Sequence, residues 1–195
     1  MRSYKPTVCS LALLALFTSL TVAQTRQPKH QVDVPYVPTT EEAVKAMLKL
    51  ADVKKTDIVY DLGCGDGRIV IAAAKEYGAH GVGIDINPER IQEAEENAKK
   101  AGVEKLLRFE ENDLFDANIH EATVVTLFLL NSVNLKLRPK LLRDLKPGTR
   151  IVSNTFDMGD WKPDKELTLD DDADFDNNGI SHKFFLWIVP ERKEK

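Results

Sequence analysis

The chain has 195 residues, of which 43% are hydrophobic and 30% charged, a composition typical of one globular domain. This composition excludes a largely disordered or membrane-embedded protein. The formal net charge of −4 gives no electrostatic reason to expect a nucleic-acid or anionic-lipid partner. We expect no nucleic-acid partner, and we expect the protein to act as a monomer.

The first 23 residues differ from the rest of the chain. A short basic lead with Arg2 and Lys5 precedes an apolar run over residues 7–23, which ends in a small-residue cleavage site. This pattern is typical of a secretory signal peptide, although an uncleaved membrane anchor fits the same run. We therefore expect an exported, periplasmic or membrane-anchored protein, or a cytoplasmic one if the leader is not functional. Membrane contact is expected only through an uncleaved N-terminal segment.

A polar, proline-bearing leader over residues 24–39 comes before the main domain, which we place at 40–195. Thr39 or Thr40 is expected to cap a first helix that runs to about Ala51. Strand and helix patterns then alternate. The predicted strands are 57–62, 80–86, 106–111, 122–129, 149–156, 165–170 and 180–189, and the predicted helices after the first are 66–77, 88–101 and 132–145.

This alternation predicts an α/β fold with a Rossmann-like, doubly wound seven-stranded sheet. Most strands are expected to be parallel. The last two patterns have no helix between them and flank Asn177-Asn178-Gly179, which predicts a C-terminal antiparallel hairpin.

Three glycines at alternate positions, Gly63, Gly65 and Gly67, directly follow the first predicted strand and precede a helix. Such loops cradle nucleotides, because glycines let backbone N–H groups close on a ligand at a helix N-terminus. A dinucleotide fingerprint needs glycine at position 68, where this chain has Arg68. That difference opposes an NAD-dependent oxidoreductase.

Acidic residues fall at the carboxyl ends of the first three strands, where open α/β sheets bind ligands. Asp61 precedes the glycine loop. Asp85 lies where a carboxylate can accept hydrogen bonds from both ribose hydroxyls, and Asp113 lies where the amino group of an adenine would be. The site has acidic residues but no basic residue that could bind a pyrophosphate. This combination indicates that the ligand is a cationic or neutral nucleoside. S-adenosylmethionine fits, because its sulfonium and ammonium charges are compatible with carboxylates.

The glycine loop with its two spaced aspartates resembles the class I, seven-strand S-adenosylmethionine-dependent methyltransferases. A narrower resemblance is carried by PYVPT at 35–39, VYDLGCGDGRI at 59–69 and the stretch 126–161. These segments are similar to the lysine methyltransferases of this fold, both the broad-specificity archaeal and mitochondrial kind and the nucleosomal histone type. The resemblance implies S-adenosyl-L-methionine as cofactor and a protein lysine as acceptor.

In those families a proline-bearing leader folds over the cofactor, and the segment after the fourth strand lines the acceptor channel. The cofactor-binding residues that the resemblance implies are Tyr36, Pro38, Thr39, Asp61, Gly63, Cys64, Gly65, Asp85, Ile86, Asn112, Asp113 and Leu114. The acceptor-channel residues that it implies are Tyr36, Phe128, Leu129, Leu130 and Asn131, and Phe156 and Trp161 are further candidates for apolar walls. The N-P-P-Y motif of amide and nucleobase amine methyltransferases is replaced here by Leu-Leu-Asn-Ser.

Other interpretations of the same residues stay open. Asp113 could instead cap a helix, and Asp85 could form a turn. Phe128 and Trp161 could instead be core residues. No general base is identifiable, so the catalytic residues are unknown. The alternative functions are a small-molecule methyltransferase and a non-catalytic S-adenosylmethionine-binding module.

We expect no metal site. The four histidines fit no metal-ligand spacing, and once a signal peptide is removed Cys64 is the only cysteine. Residues 174–179 match the start of a calcium-binding loop, but the glutamate required at its twelfth position is Phe185. A nucleophilic role for Cys64 would need a nearby histidine, and none is close in sequence.

Overall fold

The computed structural model describes residues 37–169 and 183–192. The helices are α1 (Glu41–Leu50), α2 (Arg68–Ala72), α3 (Pro88–Ala101) and α4 (Asn131–Asp144). The strands are β1 (Ile58–Leu62), β2 (His80–Asp85), β3 (Leu107–Glu111), β4 (Val124–Leu127), β5 (Arg150–Asn154), β6 (Lys165–Thr168) and β7 (Lys183–Ile188).

The seven strands form one sheet in the order β3-β2-β1-β4-β5-β7-β6. The first five strands pair in parallel, and β7 pairs antiparallel with both β5 and β6. The strand order reverses between β1 and β4, the position at which doubly wound sheets bind ligands. The predicted fold class is confirmed, including the antiparallel C-terminal pair. The turn predicted at 177–179 lies outside the described residues.

Helix α1 begins where its cap predicts. The Thr40 hydroxyl accepts a hydrogen bond from the Ala43 backbone N–H at 3.2 Å, and Ala51 follows the last helical residue. Val44, Met47 and Leu48 are buried in the hydrophobic cluster on one face of the sheet. The helix therefore fixes where the leader ends and the sheet-covering layer begins.

Several elements are shorter than predicted, and two of these differences bear on the site. The helix expected over 66–77 is a short α2 followed by a π-helical turn, Ala73–Tyr77, which ends at Gly78 with a φ of 68°. Strand β4 is shorter than predicted and ends at Leu127. Phe128 and Leu129 therefore leave the sheet at its carboxyl edge, where they line a cleft.

A buried ion-pair network holds the opposite, amino-terminal edge of the sheet. The Asp57 carboxylate pairs with the Arg150 guanidinium and accepts hydrogen bonds from the Thr123 hydroxyl at 2.7 Å and the Lys54 backbone N–H at 2.6 Å. Arg150 also donates to the Ala51 carbonyl at 2.8 Å. The network ties the end of α1 to the start of β1, β4 and β5.

Some predictions concern residues that the structure does not describe. They are the signal peptide, the cofactor contact of the leader residue Tyr36 and the expectation that residues 174–179 hold no calcium, and they stay predictions. Within residues 37–169 and 183–192, no helix is long and apolar enough to cross a bilayer. The same residues contain no group of three or more His, Cys, Asp or Glu arranged to hold a metal ion.

Candidate active site

A cleft opens at the carboxyl ends of the first four strands, beside the point where the strand order reverses. It encloses about 1080 Å³, part of it open to solvent. Its walls come from the leader, the glycine loop, the ends of β2 to β4 and the first turns of α3 and α4. The lining residues are Val37, Pro38, Thr39, Asp61, Gly63, Cys64, Asp66, Arg68, Ile69, Ile84, Asp85, Ile86, Asn87, Arg90, Asn112, Asp113, Leu114, Phe115, Phe128, Leu129 and Val133.

The cleft brings together nearly all the residues predicted to bind the cofactor. Among those in the described part of the chain, Gly65 alone lies outside the lining, and its N–H contacts a lining residue instead. Several lining residues were not predicted. Phe115 lies two positions after Asp113, and Asn87 and Arg90 lie at the start of α3, shortly after Asp85. Their nearness in sequence to the predicted acids is the signal that could have identified them.

The N–H groups of Gly63, Cys64 and Gly67 are hydrogen-bonded within the protein, whereas the sequence predicts a loop whose N–H groups close on a nucleotide ligand. The N–H groups of Gly63 and Cys64 both donate to the Ile84 carbonyl, at 2.8 and 2.9 Å, and that of Gly67 donates to the Cys64 carbonyl at 2.9 Å. The first two bonds fasten the loop to β2, and the third closes a turn within the loop. Gly67 is needed for close packing, since a Cβ at this position, whose φ is +79°, would lie 2.8 Å from the Phe109 ring.

The Asp85 carboxylate is held by two backbone donors. One oxygen accepts from the Gly65 N–H at 2.9 Å and the other from the Asn87 N–H, also at 2.9 Å. These bonds tie the glycine loop to the end of β2 and the start of α3. The turn-forming interpretation of Asp85 and the ligand-binding one are therefore compatible, because the same fixed carboxylate lines the cleft.

Asp61 lies within β1 rather than at its end and is 3% exposed. It is in register with Thr126 of β4, whose hydroxyl donates to the Asp61 carboxylate at 2.8 Å. Burial raises the pKa of Asp61 to about 7, and the charges of Asp85 and Asp66 act in the same direction, against the Thr126 hydrogen bond. A cation bound in the cleft would offset this crowding of carboxylates.

The raised pKa predicts a pH-dependent stability that Asp61→Asn removes. An unfolded aspartate titrates near about 4, so this group's contribution to stability is complete below that pH and is lost as pH rises to about 7. The free energy of unfolding of Asp61→Asn minus that of the wild type should therefore increase between about pH 4 and about pH 7. Urea unfolding of both cofactor-free proteins across this range measures it, and a constant difference would contradict the assignment.

The third acid, Asp113, both caps a turn and lines the cleft. Its carboxylate accepts from the Phe115 N–H at 2.8 Å. Leu114 and Phe115 lie beside it in the wall and add apolar surface next to the polar groups. Polar groups within an apolar wall are suited to one face of a nucleoside.

Two arginines line the cleft, although the sequence predicted no basic contribution there. Arg68 forms a forked ion pair with Asp66, and Arg90 pairs with Glu93 at 2.6 Å. Each positive charge is thus matched by a neighbouring carboxylate. The paired guanidiniums do not convert the site into one suited to a pyrophosphate, because Asp61, Asp85 and Asp113 remain in the same walls.

The residues proposed for the acceptor side separate into two groups. Phe128 and Leu129 line the cleft, and the Phe156 ring stacks on Phe128 with centroids 6.4 Å apart. Asn131 lies outside the lining and donates to the Asp157 carboxylate at 2.9 Å. Trp161 packs against the hydrophobic core and tilts against Trp187, so the core interpretation holds for it.

Cys64 is a packing residue. Its side chain is 5% exposed and lies against β2, where a Cβ on Gly83 would approach its sulfur to 2.8 Å. Burial raises the pKa of the Cys64 thiol well above its usual value, and the charges of Asp61 and Asp85 add to the effect. A protonated, buried thiol is a poor nucleophile, which argues against covalent catalysis by Cys64.

Known proteins resemble this chain over most of its length. A protein-lysine N-methyltransferase from Saccharolobus islandicus is 47% identical over 161 residues, covering 82% of this chain and 96% of the relative. An adenine nucleotide translocase lysine N-methyltransferase from Mus musculus is 31% identical over 153 residues, covering 78% of this chain and 66% of the relative. The crystal structure of an RNA methyltransferase from Salinibacter ruber, in complex with S-adenosyl-L-homocysteine, has a TM-score of 0.74 and 51% identity over 82% of this chain and 97% of that one.

The sheet order, the acid-lined cleft and these relatives define a class I S-adenosylmethionine-dependent methyltransferase. Residues 61–165 match the ANTKMT methyltransferase domain, and the chain belongs to that family. Its cofactor is S-adenosylmethionine. The walls fit this molecule, because carboxylates suit its positive charges and the glycine loop keeps no N–H of Gly63, Cys64 or Gly67 for a phosphate.

Proposed function

We propose that this methyltransferase transfers the methyl group to the side-chain nitrogen of protein lysines. The observation that carries the proposal is the 47% identity to a protein-lysine N-methyltransferase across 96% of that relative's length. The geometry agrees, because Phe128, Leu129 and Val133 add apolar surface to the same cleft that the aspartates line.

Lysine methylation needs a neutral amine as nucleophile. With a pKa of about 10.4, deprotonating lysine at pH 7 costs about 4.6 kcal/mol. When bound, the cofactor supplies an electrophilic methyl group on a sulfonium. Phe128 and Leu129 would lower the pKa of the entering lysine by excluding water, and they would align the amine for in-line attack. No side chain needs to form a covalent intermediate.

An RNA acceptor is the second candidate, because a relative 51% identical to this chain is described as an RNA methyltransferase. The charge of the chain favours protein. The formal net charge is −4, and four of the residues that line the cleft are aspartates, against two arginines. RNA binding draws most of its affinity from cationic side chains that neutralise phosphates, whereas carboxylates attract a lysine.

Methyl-transfer assays with isotopically labelled cofactor test the acceptor class. The full-length protein is incubated separately with nucleic-acid-free proteome, with purified RNA and with a small-molecule extract. We expect label in protein and recovery of Nε-methyl-lysine after acid hydrolysis. Label confined to RNA or to the extract would replace the lysine proposal with the corresponding alternative. Cofactor binding without transfer to any fraction would indicate a non-catalytic module.

Phe128→Leu should impair the use of the acceptor more than binding of the cofactor. Loss of the ring removes the Phe156 stacking and widens the wall, so kcat/KM for the protein substrate should fall by about tenfold. The affinity for S-adenosylhomocysteine, measured by calorimetry, should change much less. Leu135→Ala is the matched control, since Leu135 lies on the nearby α4, is 42% exposed and is not among the cleft residues. Equal losses in both variants would contradict an acceptor role.

A further inference from the structure

Residues 37–39, here called the leader strip, lie along one wall of the cleft immediately before α1. Their position is maintained by a side chain from another element. The Arg68 guanidinium donates from Nη1 to the Thr39 carbonyl at 2.6 Å. Arg68 is the first residue of α2, so this bond joins the leader strip to the end of the glycine loop.

The rest of the Arg68 guanidinium is anchored on the glycine loop. Its Nε lies 2.9 Å from one Asp66 oxygen, and its Nη2 lies 2.6 Å from the other. The backbone of Asp66 is also fixed to α3, because the Asn97 side-chain amide donates a hydrogen bond to the Asp66 carbonyl at 3.1 Å. A forked guanidinium that is anchored in this way has a fixed direction, which leaves Nη1 aimed at the leader strip.

We propose that Arg68 is a positioning residue that latches the leader strip over the bound cofactor and thereby controls how fast the cofactor leaves. The hydrogen bond from Arg68 is to a backbone carbonyl, so it fixes the backbone path of the strip regardless of the side chains that the strip carries. Outward movement of the strip must break this bond. The inference rests on the cofactor alone and is independent of the acceptor.

The latch also explains why an arginine occupies position 68. A glycine there, as in a dinucleotide fingerprint, would leave Asp66 without its forked partner and the strip without its tie. A lysine would keep the charge but lose the planar fork that serves both Asp66 oxygens and the Thr39 carbonyl together. Position 68 therefore couples the glycine loop to the leader in this chain.

The test is the dissociation rate of isotopically labelled S-adenosylhomocysteine from the full-length protein, measured by chase with unlabelled ligand. Arg68→Gln should accelerate release by about tenfold, the effect of losing a charge-assisted hydrogen bond. Arg68→Lys should give an intermediate release rate. This variant keeps the positive charge, so it keeps the test usable if Arg68→Gln does not fold. Arg143→Gln is the matched control, because Arg143 also pairs with a neighbouring aspartate but lies in the last turn of α4.

A double-mutant cycle separates the latch from a direct effect of Arg68 on the ligand. Thr40→Ala loosens the junction between the strip and α1, because it removes the cap of that helix, and Thr40 does not line the cleft. If both residues act through the strip, Arg68→Gln with Thr40→Ala should release the ligand no faster than the faster single variant. Multiplied factors would overturn the proposal, as would wild-type release rates in both Arg68 variants. Because no acceptor is present, neither result depends on whether lysine is the substrate.

Discussion

Asp85→Ala should weaken binding of S-adenosylmethionine by at least about 100-fold. The Asp85 carboxylate lies in the cleft, fixed by the N–H groups of Gly65 and Asn87, and we expect it to accept the ribose hydroxyls of the cofactor. Each hydrogen bond to a charged group contributes about 1.5–3 kcal/mol, and about 1.4 kcal/mol corresponds to a factor of ten. Isothermal titration calorimetry of the purified variant measures the loss.

Two further variants make this result interpretable. Asp85→Asn keeps the shape and one oxygen but removes the charge, so its affinity should lie between those of the wild type and Asp85→Ala. Asp116→Ala removes an exposed aspartate beyond β3 that does not line the cleft, and its affinity should equal that of the wild type. A dissociation constant for Asp85→Ala within threefold of the wild type would show that Asp85 serves only the turn.

Asp57→Ala should be the most destabilising of these substitutions, lowering the free energy of unfolding by about 3–5 kcal/mol. Asp57 is 5% exposed, and its removal leaves the Arg150 guanidinium without its carboxylate at the amino-terminal edge of the sheet. The Thr123 hydroxyl and the Lys54 N–H lose their acceptor at the same time. Urea unfolding of the cofactor-free protein, with the slope compared to that of the wild type, measures the change.

Asp52→Asn is the control for this substitution, because asparagine removes the charge yet tolerates the φ of 51° at this position. Asp52 lies in the same connection, pairs with Lys54 and has a side chain that is 74% exposed. An exposed ion pair contributes little, so the midpoint of unfolding should stay near that of the wild type. Because Asp57 lies at the edge of the sheet opposite the cleft, the folded fraction of Asp57→Ala should bind cofactor normally. Similar small losses of stability in Asp52→Asn and Asp57→Ala would contradict a stabilising role for the buried network.

Local patterns in the sequence predicted the elements that depend on neighbouring residues. The Thr40 cap, the buried face of α1 and the Pro88 start of α3 follow from hydrogen bonding and periodicity within a few positions. The sequence predicts that the acids near the ends of β1, β2 and β3 lie close together, because parallel strands end at one edge of a sheet. Their convergence on a single cleft agrees with that reasoning.

Contacts between distant segments account for what the sequence did not show. The pairing of Asp61 with Thr126 depends on the register of β1 against β4, and the Asn131 contact with Asp157 depends on the loop after β5. A sequence pattern does not specify which residues of two paired strands lie opposite each other. The family resemblance predicts Asn131 in the acceptor channel, whereas in the structure Asn131 contacts the loop after β5 and lies outside the cleft lining.

The sequence by itself determined the class of the fold and the chemistry of the ligand, because spaced glycines and acids limit which nucleoside can bind. The tertiary structure decided how those residues are used. The glycine-loop donors of Gly63, Cys64 and Gly67 are satisfied by carbonyls of β2 and of the loop itself, since buried N–H groups need partners whether or not a ligand is bound. Arg68, which in the sequence only opposed a dinucleotide, reaches the Thr39 carbonyl because folding places α2 beside the leader strip.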